Sequence, residues 1–160
     1  MARRTRQEKY PDTETFHYYN CNPKNKITSD CVVRAIATAT GISWNDTLQA
    51  LTDVSKKTGY MVNEKKCYGR YLESLGWVKL KRPRKPDGTV YTGNDFCYTL
   101  THPTYSEELQ LGVDFDINRI VAHMGTHHVV AIISGQIWDT WNSSSGTVGI
   151  IWVKPWVKPC

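Results

Sequence analysis

Residues 29–41 have the sequence SDCVVRAIATATG, and this stretch predicts a buried α-helix. Ser29 or Asp30 can cap the helix, because a short polar side chain accepts hydrogen bonds from the exposed N–H groups of a first turn. Gly41 suits the left-handed position that follows a last turn. The apolar residues share one face; they are Val32, Ala35, Ile36 and Ala39. This face predicts a buried helix that is rich in small residues.

Two further helices are predicted directly after this one. Ser43 and Asp46 resemble a capping box in which Asp replaces the usual Glu, and Gly59 ends the second helix. A third, shorter helix is predicted over residues 63–75, and Gly76 closes it. The first half of the chain is therefore expected to be helical.

The apolar pattern changes from helical to extended after residue 76. Strands are predicted over residues 77–80, 118–123, 128–133, 136–141 and 148–153. Ser134-Gly135 predicts a hairpin turn, residues 83–88 predict a turn or loop, and residues 89–112 match no single pattern. Helices followed by strands indicate the α+β class, with N-terminal helices packed on a C-terminal antiparallel β-sheet.

Length and composition indicate one globular domain. The chain has 160 residues, a hydrophobic fraction of 40% and a charged fraction of 22%, which are ordinary values for a soluble domain. Residues 1–20 are polar, charged and without a period, so they predict a flexible basic arm. Residues 21–160 are then expected to form the single domain.

The cysteines and the apolar segments limit the cellular setting. The five cysteines, at positions 21, 31, 67, 97 and 160, are odd in number and contain no CxxC pair. They predict neither a disulfide framework nor a zinc ribbon. No apolar run approaches the roughly 18–20 residues of a membrane span, and none follows the basic N-terminus as in a secretory signal. We therefore expect a cytoplasmic protein with reduced thiols, no metal, no cofactor and no membrane partner.

Cys31 is the first candidate for chemistry, because it stands at the start of the first predicted helix. The positive end of the helix dipole favours the thiolate, which is the nucleophilic form of the side chain. A lone cysteine in an apolar helix is nevertheless more often a packed core residue. Residues elsewhere in the chain must therefore support the catalytic interpretation.

His128 and Asp139 give that support. His128 opens a predicted strand, and a histidine can take a proton from a thiol and return it to a leaving amine. His127 is the alternative base, since a shift of one residue exchanges the two faces of a strand. The hairpin turn brings the next strand back, so that Asp139 or Asn142 can approach the imidazole and fix its tautomer.

The order of Cys, His and Asp resembles that of the papain-like cysteine peptidase superfamily. The similarity is greatest to its compact branches, such as the bacteriocin-leader peptidases, and to small phage and prophage proteins. The matching stretches are residues 22–25 (NPKN), 30–36 (DCVVRAI), 128–131 (HVVA) and 139–141 (DTW). The resemblance implies a papain-like fold and a protein or peptide substrate. It implies that Cys31 is the nucleophile, His128 the base and Asp139 the orienting residue.

The expected oxyanion hole departs from the family pattern. Papain-like enzymes have a Gln shortly before the nucleophile, and this chain has no Gln there. Asn25 lies six residues before Cys31 and Asn22 lies nine before it. Either side-chain amide can donate a hydrogen bond to an oxyanion.

Two other classes of function fit parts of the sequence. Basic clusters at residues 3–9 and 79–85 can attract nucleic acid or an acidic protein, so a non-catalytic binding or inhibitor protein on the same fold is the main alternative. Neither cluster has the interleaved aromatics of a single-strand binding platform, so nucleic acid is not the favoured partner. A metal site from Cys21, Cys31 and two histidines among residues 123, 127 and 128 matches no familiar zinc motif. We therefore favour hydrolysis of an amide or isopeptide bond through a thioester.

Overall fold

A six-stranded sheet forms the centre of the computed structural model, which describes residues 2–102 and 113–156. In these residues the helices are α1 (Arg6–Lys9), α2 (Cys31–Thr40), α3 (Trp44–Thr58), α4 (Lys65–Ser74) and α5 (Gly93–Thr101). The strands are β1 (Phe16–Tyr18), β2 (Val78–Leu80), β3 (Phe115–Met124), β4 (His128–Ile133), β5 (Gln136–Asp139) and β6 (Val148–Pro155). Their order across the sheet is β1-β5-β4-β3-β6-β2.

The protein is α+β, as the sequence predicts, and most of its strand pairs are antiparallel. One pair differs from the predicted antiparallel sheet. Strand β1 runs parallel to β5, with Phe16 opposite Ile137. The sheet is therefore mixed, and its parallel strand comes from the N-terminal residues.

Part of the N-terminal segment belongs to the fold, which corrects the prediction of a flexible arm over residues 1–20. Phe16 in β1 is fully buried, at 0% exposure. Arg6 in α1 donates from Nε to the backbone oxygen of Thr140 at 2.6 Å. A strand of three residues is too short to show a period-two pattern, and its pairing partner β5 lies far along the chain. The folded unit therefore begins before residue 21.

Helix ends follow the caps that the sequence contains. Gly41 follows α2 with a φ of 77°, in the left-handed region. Ser43 Oγ accepts from the backbone N–H of Asp46 at 3.1 Å at the start of α3. The side chain of Asp30, just before α2, makes no capping hydrogen bond and binds other side chains instead. Within the described ranges, none of the helices combines the length and the apolar character needed to cross a membrane.

The predicted strands are present with shifted ends. Strand β4 has the predicted bounds, and the chain turns after it at Ser134 and Gly135, with φ angles of 47° and 78°. Strand β5 ends at Asp139, two residues earlier than predicted. The region that matched no pattern contains α5, while residues 103–112 and Cys160 lie outside the described residues.

Helices cover both faces of the sheet, and the face under α2, α3 and α4 positions the candidate site. There Val32 and Ile36 of α2 share one buried cluster with Val121, Val129 and Ala131 of β3 and β4. The opposite face packs with α5 in a second cluster. Because side chains alternate along a strand, Val129 and Ala131 both face α2, and their packing places the start of β4 beside this helix.

Candidate active site

Cys31 is the first residue of α2 and lies half-buried beside β4. Its thiol lies next to the imidazole of His128 and the backbone N–H of Val129, the next residue of β4, and both groups favour the thiolate. The apolar face of α2 packs on the same strand. Helix packing therefore brings the predicted nucleophile and the predicted base together.

His128 is held on its other side by Asp139. Nε2 of the imidazole donates to Oδ2 of Asp139 at 2.5 Å, so the carboxylate orients the ring. The tight turn between β4 and β5 returns the chain so that the end of β5 lies beside the start of β4. The three residues that the sequence singles out therefore form one connected group.

Arg34 joins this group to the start of α2, and the sequence analysis gave it no role. Its guanidinium donates from Nη1 to Oδ1 of Asp139 at 2.7 Å and from Nε to Oδ1 of Asp30 at 2.8 Å. Its side chain is only 9% exposed. A cation within the apolar run of α2 is the signal that could have revealed it, because a buried charge needs a buried partner.

The two carboxylates that hold Arg34 have further donors. Oδ2 of Asp30 accepts from the indole Nε1 of Trp44 at 3.0 Å and from Nδ2 of Asn22 at 3.1 Å. Oδ1 of Asp139 also accepts from the backbone N–H of Thr140 at 2.7 Å. Each carboxylate oxygen therefore has a partner, so the buried charges are compensated within the network.

The electrostatics of the group favour a thiolate facing an imidazolium. Burial opposes ionisation of the Cys31 thiol, but the hydrogen bonds from His128 and Val129 and the nearby positive charges outweigh it and lower the thiol pKa. Burial also opposes protonation of His128, but the hydrogen bonds and charges of Asp139 and Cys31 raise the imidazole pKa to about 9. Between the two pKa values, the proton resides on nitrogen rather than on sulfur.

The charge of Asp139 is maintained in the same way. Burial alone would raise the pKa of this carboxyl, which is 1% exposed. The hydrogen bonds and charges of His128 and Arg34 outweigh burial and lower that pKa. Asp139 therefore stays a carboxylate and can stabilise the imidazolium throughout the neutral range.

The other described cysteines lie in different surroundings. Cys21 is also half-buried, but burial raises the pKa of its thiol. Cys67 and Cys97 are fully buried, and burial raises the pKa of Cys97 to about 12. Cys31 is therefore the one described cysteine whose thiol pKa is lowered.

The structure separates the alternative base and orienting residue from this group. His127 is exposed in the turn before β4. Asn142 accepts from the backbone N–H and the hydroxyl of Ser144 in a turn of its own. His128 and Asp139 are thus the imidazole and the carboxylate that are brought together.

The two asparagines considered as oxyanion donors lie in the loop before α2. Asn25 is exposed, and its Oδ1 accepts from Nδ2 of Asn20 at 3.3 Å. Asn22 is buried and donates to Asp30, the residue directly before Cys31. The described hydrogen bonds of these two side chains are therefore made within the loop and to Asp30.

In comparisons with known proteins, no family model, no curated protein and no solved structure matches this chain. A functional assignment therefore rests on the geometry of the chain itself. Within the described residues, no group of three or more His, Cys, Asp and Glu side chains is placed to hold a metal ion.

A cleft of about 300 Å³ adjoins His128. Trp141 forms one side of it, with its ring centre 4.8 Å from that of the imidazole. Met124, Ser143 and Gly146 also line the cleft, and Oγ of Ser143 is buried without a hydrogen-bond partner among the described residues. The cleft therefore gives access to the imidazole of His128 from solvent.

Proposed function

We propose that this protein is a cysteine hydrolase of papain-like fold that cleaves an amide bond, in a peptide or an isopeptide, through a thioester. The series in which Cys31 lies next to His128, and His128 hydrogen-bonds to Asp139, is the observation that carries the proposal. Its nucleophile lies at a helix N-terminus, its base on a strand and its carboxylate on the next strand. This arrangement supports the resemblance to papain-like peptidases, because a triad is recognised by the geometry and roles of its members.

In the proposed first half-reaction, the Cys31 thiolate attacks the carbonyl carbon, and the carbonyl electron pair moves to oxygen. The backbone N–H of Cys31 has no acceptor within α2, because it belongs to the first residue of the helix, so it can donate to the oxyanion. The imidazolium of His128 gives its proton to the leaving amine as the C–N bond breaks. A thioester and a neutral imidazole remain.

Water completes the proposed cycle. The neutral imidazole of His128 takes a proton from water while the water oxygen adds to the thioester carbon. The C–S bond then breaks, which releases the carboxylic acid and restores the thiolate and the imidazolium. Asp139 orients the ring and stabilises its charge in both halves, and Arg34 acts through Asp139 as a positioning residue.

Alkylation of Cys31 as a function of pH tests the first step. We expect iodoacetamide to label Cys31 faster than Cys21 at about pH 6, because only Cys31 is paired with an imidazolium. Peptide mass spectrometry measures both rates in one sample. Cys21 is the matched control, since it is also half-buried but has a raised thiol pKa.

The variant His128→Gln should remove the advantage of Cys31 and leave Cys21 unchanged. With a library of fluorogenic peptides, Cys31→Ala should abolish the hydrolysis shown by the natural sequence. If Cys31 instead labels no faster than Cys21 at about pH 6, the hydrolase proposal fails. The non-catalytic binding protein would then take its place.

A further inference from the structure

A basic pocket lies between α4 and the β6 side of the sheet, on the face that also carries α2. Its volume is about 440 Å³, within the roughly 300–1,000 Å³ of small-molecule sites. Its cationic lining residues are Lys65, Lys66, Arg70 and Lys79. Glu73 also lines it, so four cations and one carboxylate give the lining a formal charge of +3.

No salt bridge between described residues neutralises these four cations. Lys66 and Arg70 are one helical turn apart, where like charges repel. Lys65 and Lys66 also lie in the first turn of α4, where the helix dipole disfavours cations. The fold therefore maintains a positive cluster that a bound anion would stabilise.

The remaining walls of the pocket are aromatic and aliphatic. They are formed by Tyr60, Ile150 and Trp152. Lys66 Nζ lies 3.4 Å from the Tyr60 hydroxyl and 5.1 Å from the centre of its ring. Trp152 is 3% exposed, and its indole N–H has no partner among the described residues. The pocket thus combines cationic groups with surface that suits an organic ring.

The positive potential extends beyond the pocket along the sheet. His123 on β3 has a lowered pKa, first because it is buried and then because of cationic neighbours, of which Lys65 has the largest effect. Its backbone pairs with that of Val129, the residue after His128. Strands β3 and β4 are neighbours in the sheet and lie about 4.8 Å apart, so His123 lies between Lys65 of the pocket and the strand that carries His128.

We propose that this pocket binds a small organic di- or triphosphate, such as a nucleoside diphosphate or triphosphate. Phosphate oxygens are strong acceptors for lysine and for the planar guanidinium of Arg70. Two or three phosphate groups supply the negative charge that the lining of +3 requires. The concave shape favours a compact ligand over a nucleic-acid strand, and Tyr60 and Ile150 can contact its organic part.

Isothermal titration calorimetry of the full chain with ADP, ATP and tripolyphosphate, without divalent cations, tests the proposal. We expect the paired variant Lys66→Gln/Arg70→Gln to weaken ATP binding by roughly 30-fold at an ionic strength of about 0.15 M. Both side chains are exposed, so this variant should fold normally. The matched control is Lys56→Gln/Lys57→Gln, which removes two exposed lysines from the end of α3 and should leave binding unchanged.

Three outcomes would overturn the proposal. The first is the absence of binding for all three phosphate compounds, and the second is an equal loss of binding in the control variant. The third is binding of a single-stranded oligonucleotide or an acidic peptide where the small phosphates do not bind, which would assign the pocket to a macromolecule. Cys31→Ala should bind ATP normally, so the outcome for this pocket is independent of the outcome for the hydrolase.

Discussion

Replacement of Arg34 by methionine should remove a large part of the stability of the fold. Arg34 is the shared cation of two buried carboxylates, Asp30 and Asp139, at 2.8 Å and 2.7 Å. Removing one member of a buried charged group costs about 3–5 kcal/mol, because the remaining charge stays buried without compensation. Small domains unfold with only about 5–15 kcal/mol. The variant Arg34→Met should therefore lose from about a fifth to all of a typical domain's stability.

Urea denaturation followed by tryptophan fluorescence measures this loss. The control Arg119→Met removes an arginine that is 44% exposed and pairs with Asp116, and it should cost about 1 kcal/mol or less. Arg34→Lys keeps the charge but cannot reach both carboxylates as the guanidinium does, so an intermediate loss is expected. A loss for Arg34→Met no larger than that of Arg119→Met would refute the view that this network supports the fold.

Three further predictions concern the N-terminal strand and the triad. Phe16→Ala should lower the free energy of unfolding, measured by urea denaturation, by about 3–5 kcal/mol, because it leaves a cavity at a buried site. Ile27→Ala is the control: this residue is 50% exposed, so its replacement should change the free energy of unfolding by about 0.5 kcal/mol or less. Asp139→Asn should reduce peptide hydrolysis by about 10²–10⁴-fold, because the imidazolium loses its carboxylate; unchanged rates would exclude an orienting role. The hydrolysis rate should fall as pH rises through about 9, because His128 loses its proton there. At low pH the rate should fall only below the ordinary thiol pKa, because the thiol pKa of Cys31 is lowered. A rate that keeps increasing above pH 9 would contradict an essential imidazolium.

The sequence predicted those parts of the site that lie at marked element boundaries. Cys31 follows a polar pair at the start of an apolar helix, and His128 opens an apolar strand. Ser134 and Gly135 can both adopt left-handed φ angles, which made the hairpin and the position of Asp139 predictable. The structure shows that Cys31, His128 and Asp139 lie together. The catalytic role of this group stays a prediction.

Other features depended on partners that lie far away in the chain. Strand β1 is a strand because β5 lies beside it, and no local pattern in its three residues shows this. Arg34 takes its role from Asp139, which is 105 residues away. Either Ser29 or Asp30 was expected to cap α2, but the side chain of Asp30 binds Arg34 instead. Long-range pairing and buried charge therefore account for most of what sequence patterns missed.

The separation of these partners means that the growing chain completes the site long after it has made α2. Arg34 contacts Asp139, which lies 105 residues later in the chain, and Arg6 contacts Thr140, which lies 134 residues later. At roughly 5–20 residues per second, ribosomal synthesis delivers Asp139 about 5–20 s after Arg34. During that interval Cys31 has emerged without its base or the carboxylate that orients it. In a nascent chain, Cys31 would therefore lack the complete series with His128 and Asp139 until Asp139 has been translated.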